Sequence, residues 1–377
     1  MIDLILLLFT TSYPHISIQI LARLNKGNYD EKIMKMDLLD VLKSPKTGTN
    51  LQLKNAVLDG EEIKSGILYD SKDNEYDIVD YIPRFVRENP GNTIESFSYK
   101  WKTFVEPALQ KQERNKTIFL EHYGFQPDEF KEFLSTRKKI LDAGCGAGYV
   151  SNWMYSESKA QVFGIDISTS VDEARKHFCP TGSENLNYVQ ADISELPFEN
   201  KFFDFIVCKE VIHHTEKPRE NFSKLVNLLS VGGVIQIYAY KKKGPIREFS
   251  DDFIRSHTTN LTVEECHKFA ETMTELGKSL REAKINITIP RDIPFLNIKA
   301  GVYDLQRFIY WNIMKCWWDD EGDRDYSNAV NFDWYHPRHA FRYDAEEIKK
   351  WFNDEGIRID NLNILDAGIA IRGTKIR

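Results

Sequence analysis

The stretch Lys139-Ile-Leu-Asp-Ala-Gly-Cys-Gly-Ala-Gly-Tyr-Val150 constrains the fold of this chain more than any other. Ile140 and Leu141 close a short apolar strand, and Asp142 stands at its carboxyl end. Gly144, Gly146 and Gly148 then let the backbone turn with no Cβ in the way. A strand, a glycine turn and a helix start, in that order, predict an open α/β sheet whose ligands bind beyond the carboxyl ends of the strands. The helix N-terminus there offers free N–H groups and the positive end of a dipole to an anion. A nucleotide-like cofactor is therefore expected. A dinucleotide turn requires G-x-G-x-x-G/A, because the third small residue lets the helix pack on the strand. Counted from Gly144, that place is held by Tyr149, which disfavours a pyrophosphate.

With an acid two residues before its first glycine, this G-x-G-x-G resembles motif I of the class I S-adenosylmethionine (SAM)-dependent methyltransferases. Further apolar runs follow at helix-length intervals: Val162-Phe-Gly-Ile-Asp-Ile, Tyr188-Val-Gln-Ala-Asp-Ile, Phe203-Asp-Phe-Ile-Val-Cys and Gly232-Gly-Val-Ile-Gln-Ile-Tyr. The resemblance covers roughly residues 138–239. It implies an α/β, Rossmann-like seven-stranded sheet of order 3-2-1-4-5-7-6, with SAM as cofactor. It further implies that Asp166, beside Ile167, accepts both ribose hydroxyls, since one carboxylate has lone pairs for two donors. Asp192 and the Ile193 backbone would meet the adenine. Asp142, Ala143, Gly144, Gly146, Gly148 and Lys209 would line the rest of the cofactor site. A single aspartate often ends a strand in a turn. Three of them at successive strand ends beside a glycine turn make that explanation improbable.

At 377 residues, 42% hydrophobic and 28% charged, the chain has the composition of a soluble globular protein of two or three domains. A net charge of −7 argues against DNA binding and disfavours RNA, both of which rely on Lys and Arg to neutralise phosphates. The five cysteines contain no C-x-x-C pair, so neither a disulfide framework nor a metal site is expected, and a reducing cytoplasm fits best. The apolar run Leu4–Phe9 is too short to span a bilayer, and Asp3 stands where a signal peptide has positive charge.

The organisation expected from these patterns begins with an N-terminal extension at 1–35, poorly packed. A small strand-and-turn domain follows at 36–88, then a linker with lid helices at 89–137. The methyltransferase domain takes 138–377 and carries a substrate-binding insertion at 241–344. The small domain resembles the Trm112-like zinc ribbon, but Ser44-Pro-Lys-Thr47 stands where that family has C-P-x-C, and the second cysteine pair, expected around 69–73, is missing. Without thiolates the tetrahedral site cannot form, so the domain is read as a metal-free scaffold.

Relatives with such an N-terminal domain fold an aromatic segment over the SAM pocket, which makes Tyr99 and Trp101 lid candidates. After the fourth strand, Glu210 and His213, with His214 beside it, are candidate bases. In the insertion, Thr262 to Glu265 is a capping box ahead of a helix with an apolar stripe at 263, 266, 269, 273, 276 and 280. An aromatic helix at 302–318 is of the kind usually buried, with an apolar pocket, a homodimer interface or a lipid surface as the alternatives. The segment Asn331–Tyr343 mixes aromatic bodies with polar tips, as sites do. Within it Tyr335 and His336 are expected to orient or deprotonate the attacking atom, and His339 and Arg342 to hold the substrate. The reading as a whole is a methyltransferase acting at oxygen or nitrogen of a small molecule. An RNA methyltransferase and a non-catalytic SAM-binding scaffold subunit are the alternatives.

Overall fold

Residues 36–60, 62–86, 91–179 and 185–377 are described by the structure, a computed structural model. The expected extension at 1–35, and Asn89 and Pro90 at the start of the linker, lie outside the described residues. After a short helix, Met36–Val41, the chain forms an antiparallel four-stranded sheet of β1 (Gln52–Asp59), β2 (Glu62–Tyr69), β3 (Glu75–Val79) and β4 (Ile82–Pro83). Helices Asn92–Gln110, Gln112–Tyr123 and Pro127–Ser135 lead from it to the main sheet.

The main sheet contains β5 (Lys139–Ala143), β6 (Gln161–Asp166), β7 (Leu186–Gln190), β8 (Phe203–Lys209) and β9 (Leu229–Tyr240). After the insertion, which carries a two-stranded hairpin of β10 (Asn286–Ile289) and β11 (Gly301–Asp304), the sheet is completed by β12 (Ile357–Ile364) and β13 (Gly368–Lys375). Its spatial order is β12-β13-β9-β8-β5-β6-β7. Counting the seven strands along the chain, this is the expected 3-2-1-4-5-7-6. The first five are parallel, and β13 runs antiparallel between β9 and β12.

The uninterrupted apolar runs follow from burial on both faces, because successive side chains of a strand point to opposite sides. Leu141, Phe163, Ile206 and Ile235 pack on one face with Phe222 and Phe352, and the same core continues into Leu42, Ile63 and Leu68 of the small sheet. Ile140, Val162 and Phe205 pack on the other face with Phe119, Phe130 and Trp153 of the flanking helices. The small sheet is docked on the edge strand β7. The Phe85 amide donates to the Gln190 carbonyl at 2.7 Å, and Arg84 and Arg175 pair with Asp172 and Glu62.

A third core lies in the insertion, where helices Val263–Glu282 and Arg324–Tyr335 pack together. Thr262 and Glu265 form the expected capping box. The stripe is narrower than expected: Val263, Cys266 and Met273 are buried, whereas Leu276 is 38% exposed and Ala270 joins the core. The aromatic helix is shorter than expected. Residues 301–304 form β11, Asp304 caps a helix that covers only Leu305–Asn312, and its carboxylate accepts from the Arg307 amide. Tyr310 is buried, and Trp311 and Trp317 pack against the same core, so these aromatics are turned inward. No described helix is long and apolar enough to cross a membrane.

Candidate active site

A cavity of about 540 Å³ opens at the carboxyl ends of β5, β6 and β8, between the main sheet, the Asn92–Gln110 helix and the insertion. Its floor is the glycine turn. The amides of Gly144 and Cys145 donate to the Ile165 carbonyl at 2.7 and 2.8 Å, tying the turn to β6. Gly144 and Gly146 have φ of +84° and +53°, a region that side chains disfavour. A Cβ on Gly144 would lie 2.3 Å from Val211, and one on Gly146 would lie 2.6 Å from the Trp101 ring. The glycines therefore serve close approach as well as conformation.

Asp166 is fixed in place by its neighbours. One carboxylate oxygen accepts the Gly146 amide at 3.0 Å, and the other accepts the amide and hydroxyl of Ser168 at 2.9 and 2.7 Å. Of about four lone-pair sites on the carboxylate, three are thereby filled, and the oxygen facing Gly146 keeps capacity for a further donor. Asp142 is buried and accepts the Ser151 hydroxyl at 2.6 Å. Burial, aided by the charge of Asp166 and opposed by the Ser151 hydrogen bond, pushes its carboxyl up to about 7. Asp192 accepts the Ser194 amide at 2.7 Å and lines the cavity with Ile167 and Ile193.

At the end of β8, Lys209 and Glu210 form an ion pair of 2.6 Å on the cavity wall. Burial works against both charges, but each holds the other ionised: the lysine is raised and the glutamate lowered. Glu210 sits at φ +62°, a strained conformation for a residue with a side chain, and such strain gathers at functional sites.

The roof comes from the Asn92–Gln110 helix and the insertion. Lys100 lies 4.8 Å from the Trp101 ring centre and 5.7 Å from that of Phe97, and donates to Asp333 at 2.9 Å. Burial would raise the Asp333 carboxyl, but the charge and hydrogen bond of Lys100 bring it below the usual carboxylate range. His214 lines the cavity, its ring edge-on to Phe97. Its Nδ1 lies 2.6 Å from the His339 carbonyl, so Nδ1 carries the proton, and its buried Nε2 has no hydrogen-bond partner among the described residues. Burial lowers its pKa to about 4.

The structure brings together Asp142, Gly144, Asp166, Ile167, Asp192, Ile193, Lys209, Glu210, Trp101 and His339 as cavity-lining residues. Ala143, Gly146 and Gly148 belong to the strand end and turn beneath them without lining the space. Five expectations are corrected. Tyr99 is turned away from the cavity, its hydroxyl 2.6 Å from His267 Nδ1 and its ring against Phe332. His213 is fully buried and stacks on Tyr240 at 3.6 Å, leaving the cavity to its neighbour His214.

Tyr335 is buried and donates to the Lys315 carbonyl at 2.6 Å. His336 is buried as a strut between the Ser96 hydroxyl, at 2.6 Å, and the Leu261 carbonyl, at 3.1 Å. Arg342 is occupied by Glu248, Asp252 and the Ala340 carbonyl. Residues 324–335 form a helix that turns Tyr335 and Trp334 into core, and His336 and Arg342 beyond it are taken by groups of other elements. Asp333, on that helix, reaches the cavity, as do Lys100 and Arg338, and sequence reasoning missed all three.

Residues 141–237 match the family described as a methyltransferase domain. A curated protein of Synechococcus, itself uncharacterized, is 32% identical over 114 residues, 29% of this chain and 27% of that one. The ubiquinone biosynthesis O-methyltransferase of Nitrosospira multiformis is 28% identical over 154 residues, 40% of this chain and 63% of that one. The chain thus spans less than two thirds of the length of these relatives. Among solved structures, magnesium protoporphyrin IX methyltransferase of Synechocystis, with bound SAH, has 14% identity and a TM-score of 0.37, covering 77% of this chain and 90% of that one. Sheet order, glycine turn and family match agree, and residues 141–237 are a class I, SAM-dependent methyltransferase domain.

Proposed function

We propose that the whole chain is a SAM-dependent methyltransferase acting on an oxygen or nitrogen atom of a small molecule. The observation that carries this reading is one cavity with two unlike ends: fixed carboxylates over a glycine turn at one, and His214 with the Lys100–Asp333 pair at the other. The first end fits the cofactor. Asp166 offers lone pairs to ribose hydroxyls, Asp192 and Ile193 to adenine, and the turn beside Asp142 suits the methionine moiety. SAM, when bound, supplies a methyl group on a sulfonium, which is a very good leaving group.

At the other end, Trp101 and Phe97 cover the cavity against water. Lys100 and Asp333 present opposite charges that orient a polar acceptor. His214, neutral and with Nε2 free, takes the acceptor's proton. Positioning supplies about 7–11 kcal/mol in such transfers, and a base about 10²–10⁴-fold. The ubiquinone O-methyltransferases among the curated relatives support an oxygen acceptor.

We read the small sheet as a Trm112-like scaffold whose metal has been replaced by hydrogen bonds. Its two turns meet through Asp70, which accepts the Ser44 and Thr47 hydroxyls at 2.6 and 2.9 Å and the Asn74 side chain at 2.9 Å. Ser44 and Thr47 are the positions aligned with the first cysteine pair.

The test is incubation with labelled SAM and panels of phenolic, carboxylic and amine small molecules, with RNA as a separate panel. Small-molecule turnover is expected. His214→Gln and Asp333→Asn should each lower it by about tenfold or more with SAM affinity retained. Labelling of RNA alone, or full activity in both variants, would overturn the reading.

A further inference from the structure

One aromatic layer behind the cavity roof, the insertion gathers cations without matching acids. Arg247, 1% exposed, donates from Nε to Asp251 at 2.6 Å, and its Nη1 is buried with no partner among the described residues. Its guanidinium lies 5.1 Å from the Tyr310 ring centre and 5.5 Å from that of Trp334. Lys315, 8% exposed, faces the same two rings at 5.5 and 5.2 Å. The indole N–H of Trp334 is also buried and unpartnered among the described residues.

Lys243 completes the group. It is tied by carbonyls of Lys241 and Ala367 at 2.8 and 2.9 Å, with Trp311 beside it. Asp251, bonded to Arg247 and to the Lys315 amide, is joined by Glu248, which is shared between Arg342 and the Lys243 amide, so three cations face one carboxylate and part of another.

Buried charges that lack partners cost several kcal/mol, and each unsatisfied buried donor in a native fold asks for a group to satisfy it. In this group the buried atoms without a partner among the described residues are both donors, Arg247 Nη1 and Trp334 Nε1, and Lys315 adds a positive charge beside the same rings. Water accepts hydrogen bonds but brings no charge, whereas an oxyanion satisfies donors and charge together. Lys243 shows the strain of the arrangement, because burial and the neighbouring Arg247, Lys241 and Lys315 push its ammonium down to about 7.

We propose that Arg247, Lys315, Lys243 and Trp334 form a site for an oxyanion, a carboxylate, phosphate or sulfate. The group is either a free anion or the acid group of a bound small molecule. Trp334 follows the cavity-lining Asp333 in sequence, and its ring packs on Tyr240 at 5.1 Å.

Melting temperature is measured against phosphate, sulfate, benzoate and phenyl phosphate, with chloride holding ionic strength constant. A saturable rise with at least one oxyanion is expected for the full-length protein. A rise with inorganic phosphate or sulfate assigns the site to a free anion. A rise confined to the aromatic acids assigns it to the acid group of a larger molecule. Lys315→Met, which keeps the side chain's length, should weaken the effect at least tenfold, and Trp334→Phe less. SAM affinity of both variants reports that the fold is intact, independently of any acceptor. No saturable rise with any of the four in the wild type, or an unchanged rise in a folded Lys315→Met, would overturn the site.

Discussion

The two ends of the cavity are built in different ways. At the cofactor end, the functional atoms come from strand ends whose neighbours are fixed by sheet pairing, and short motifs contain the residues that orient them: Gly146 and Ser168 around Asp166, Ser151 around Asp142. At the acceptor end, Lys100 and Asp333 meet across 233 positions of sequence, and His214 takes its tautomer from a carbonyl 125 positions away. A strand end is a local structure. The acceptor end exists only after the insertion has docked on the lid helix, so no short stretch carries its pattern.

If that contrast holds, the largest effect belongs to the local end. Asp166→Ala removes the proposed ribose-hydroxyl acceptor as well as the anchor of the Gly146 amide. SAM binding should weaken by about 1.5–3 kcal/mol, roughly ten- to a hundredfold, in calorimetry. Unchanged affinity would detach the strand ends from the cofactor and dissolve the comparison.

His336→Ala probes the other end, where a residue with a site-like sequence context is a strut. Its removal leaves the Leu261 carbonyl short of a partner inside the protein, while the Ser96 hydroxyl keeps the Asn92 carbonyl. A loss of about 1–3 kcal/mol in unfolding free energy is expected, with SAM affinity little changed. Intact stability together with lost turnover would instead return His336 to the catalytic machinery.

The same contrast decides what could be read from sequence. The glycine turn, the apolar strands and the three acids at their ends were legible because hydrophobic period and turn chemistry are local properties, whereas the sheet order was implied only by the family resemblance. The capping box at Thr262 was legible for the same reason. The segment 331–343 misled, because aromatics with polar tips satisfy a buried interface as readily as a ligand. Tyr335 bonds a backbone carbonyl, and Arg255 reaches the carbonyls of Trp334, Pro337 and Arg338 from another helix. Tyr99 shows the limit at finer scale. It and Trp101 share a helix two residues apart, and so point about 200° apart around its axis. The sequence marks both as aromatic, and only the docked helix decides which one meets Gly146.

The smallest effect is one of pH, and it sharpens the reading of the cofactor end. Asp142 is held up to about 7 by burial, against about 3.9 in an unfolded chain. Because the folded state keeps this proton longer, Asp142 lowers stability as pH rises from about 4 towards 7, with no further loss above. Ligand binding runs in the opposite sense. With the methionine end of SAM against the Gly144 turn, as proposed, its ammonium favours the ionised carboxylate. Affinity should then rise as pH goes from about 6 to about 8, by no more than about tenfold, since one pKa unit corresponds to 1.36 kcal/mol. Asp142→Asn, which keeps the shape and cannot ionise, should flatten that rise while leaving the Asp166 contacts in place. A pH slope of equal size in Asp142→Asn would move the titrating group elsewhere, and the Lys209–Glu210 pair on the same wall would be the next group to vary.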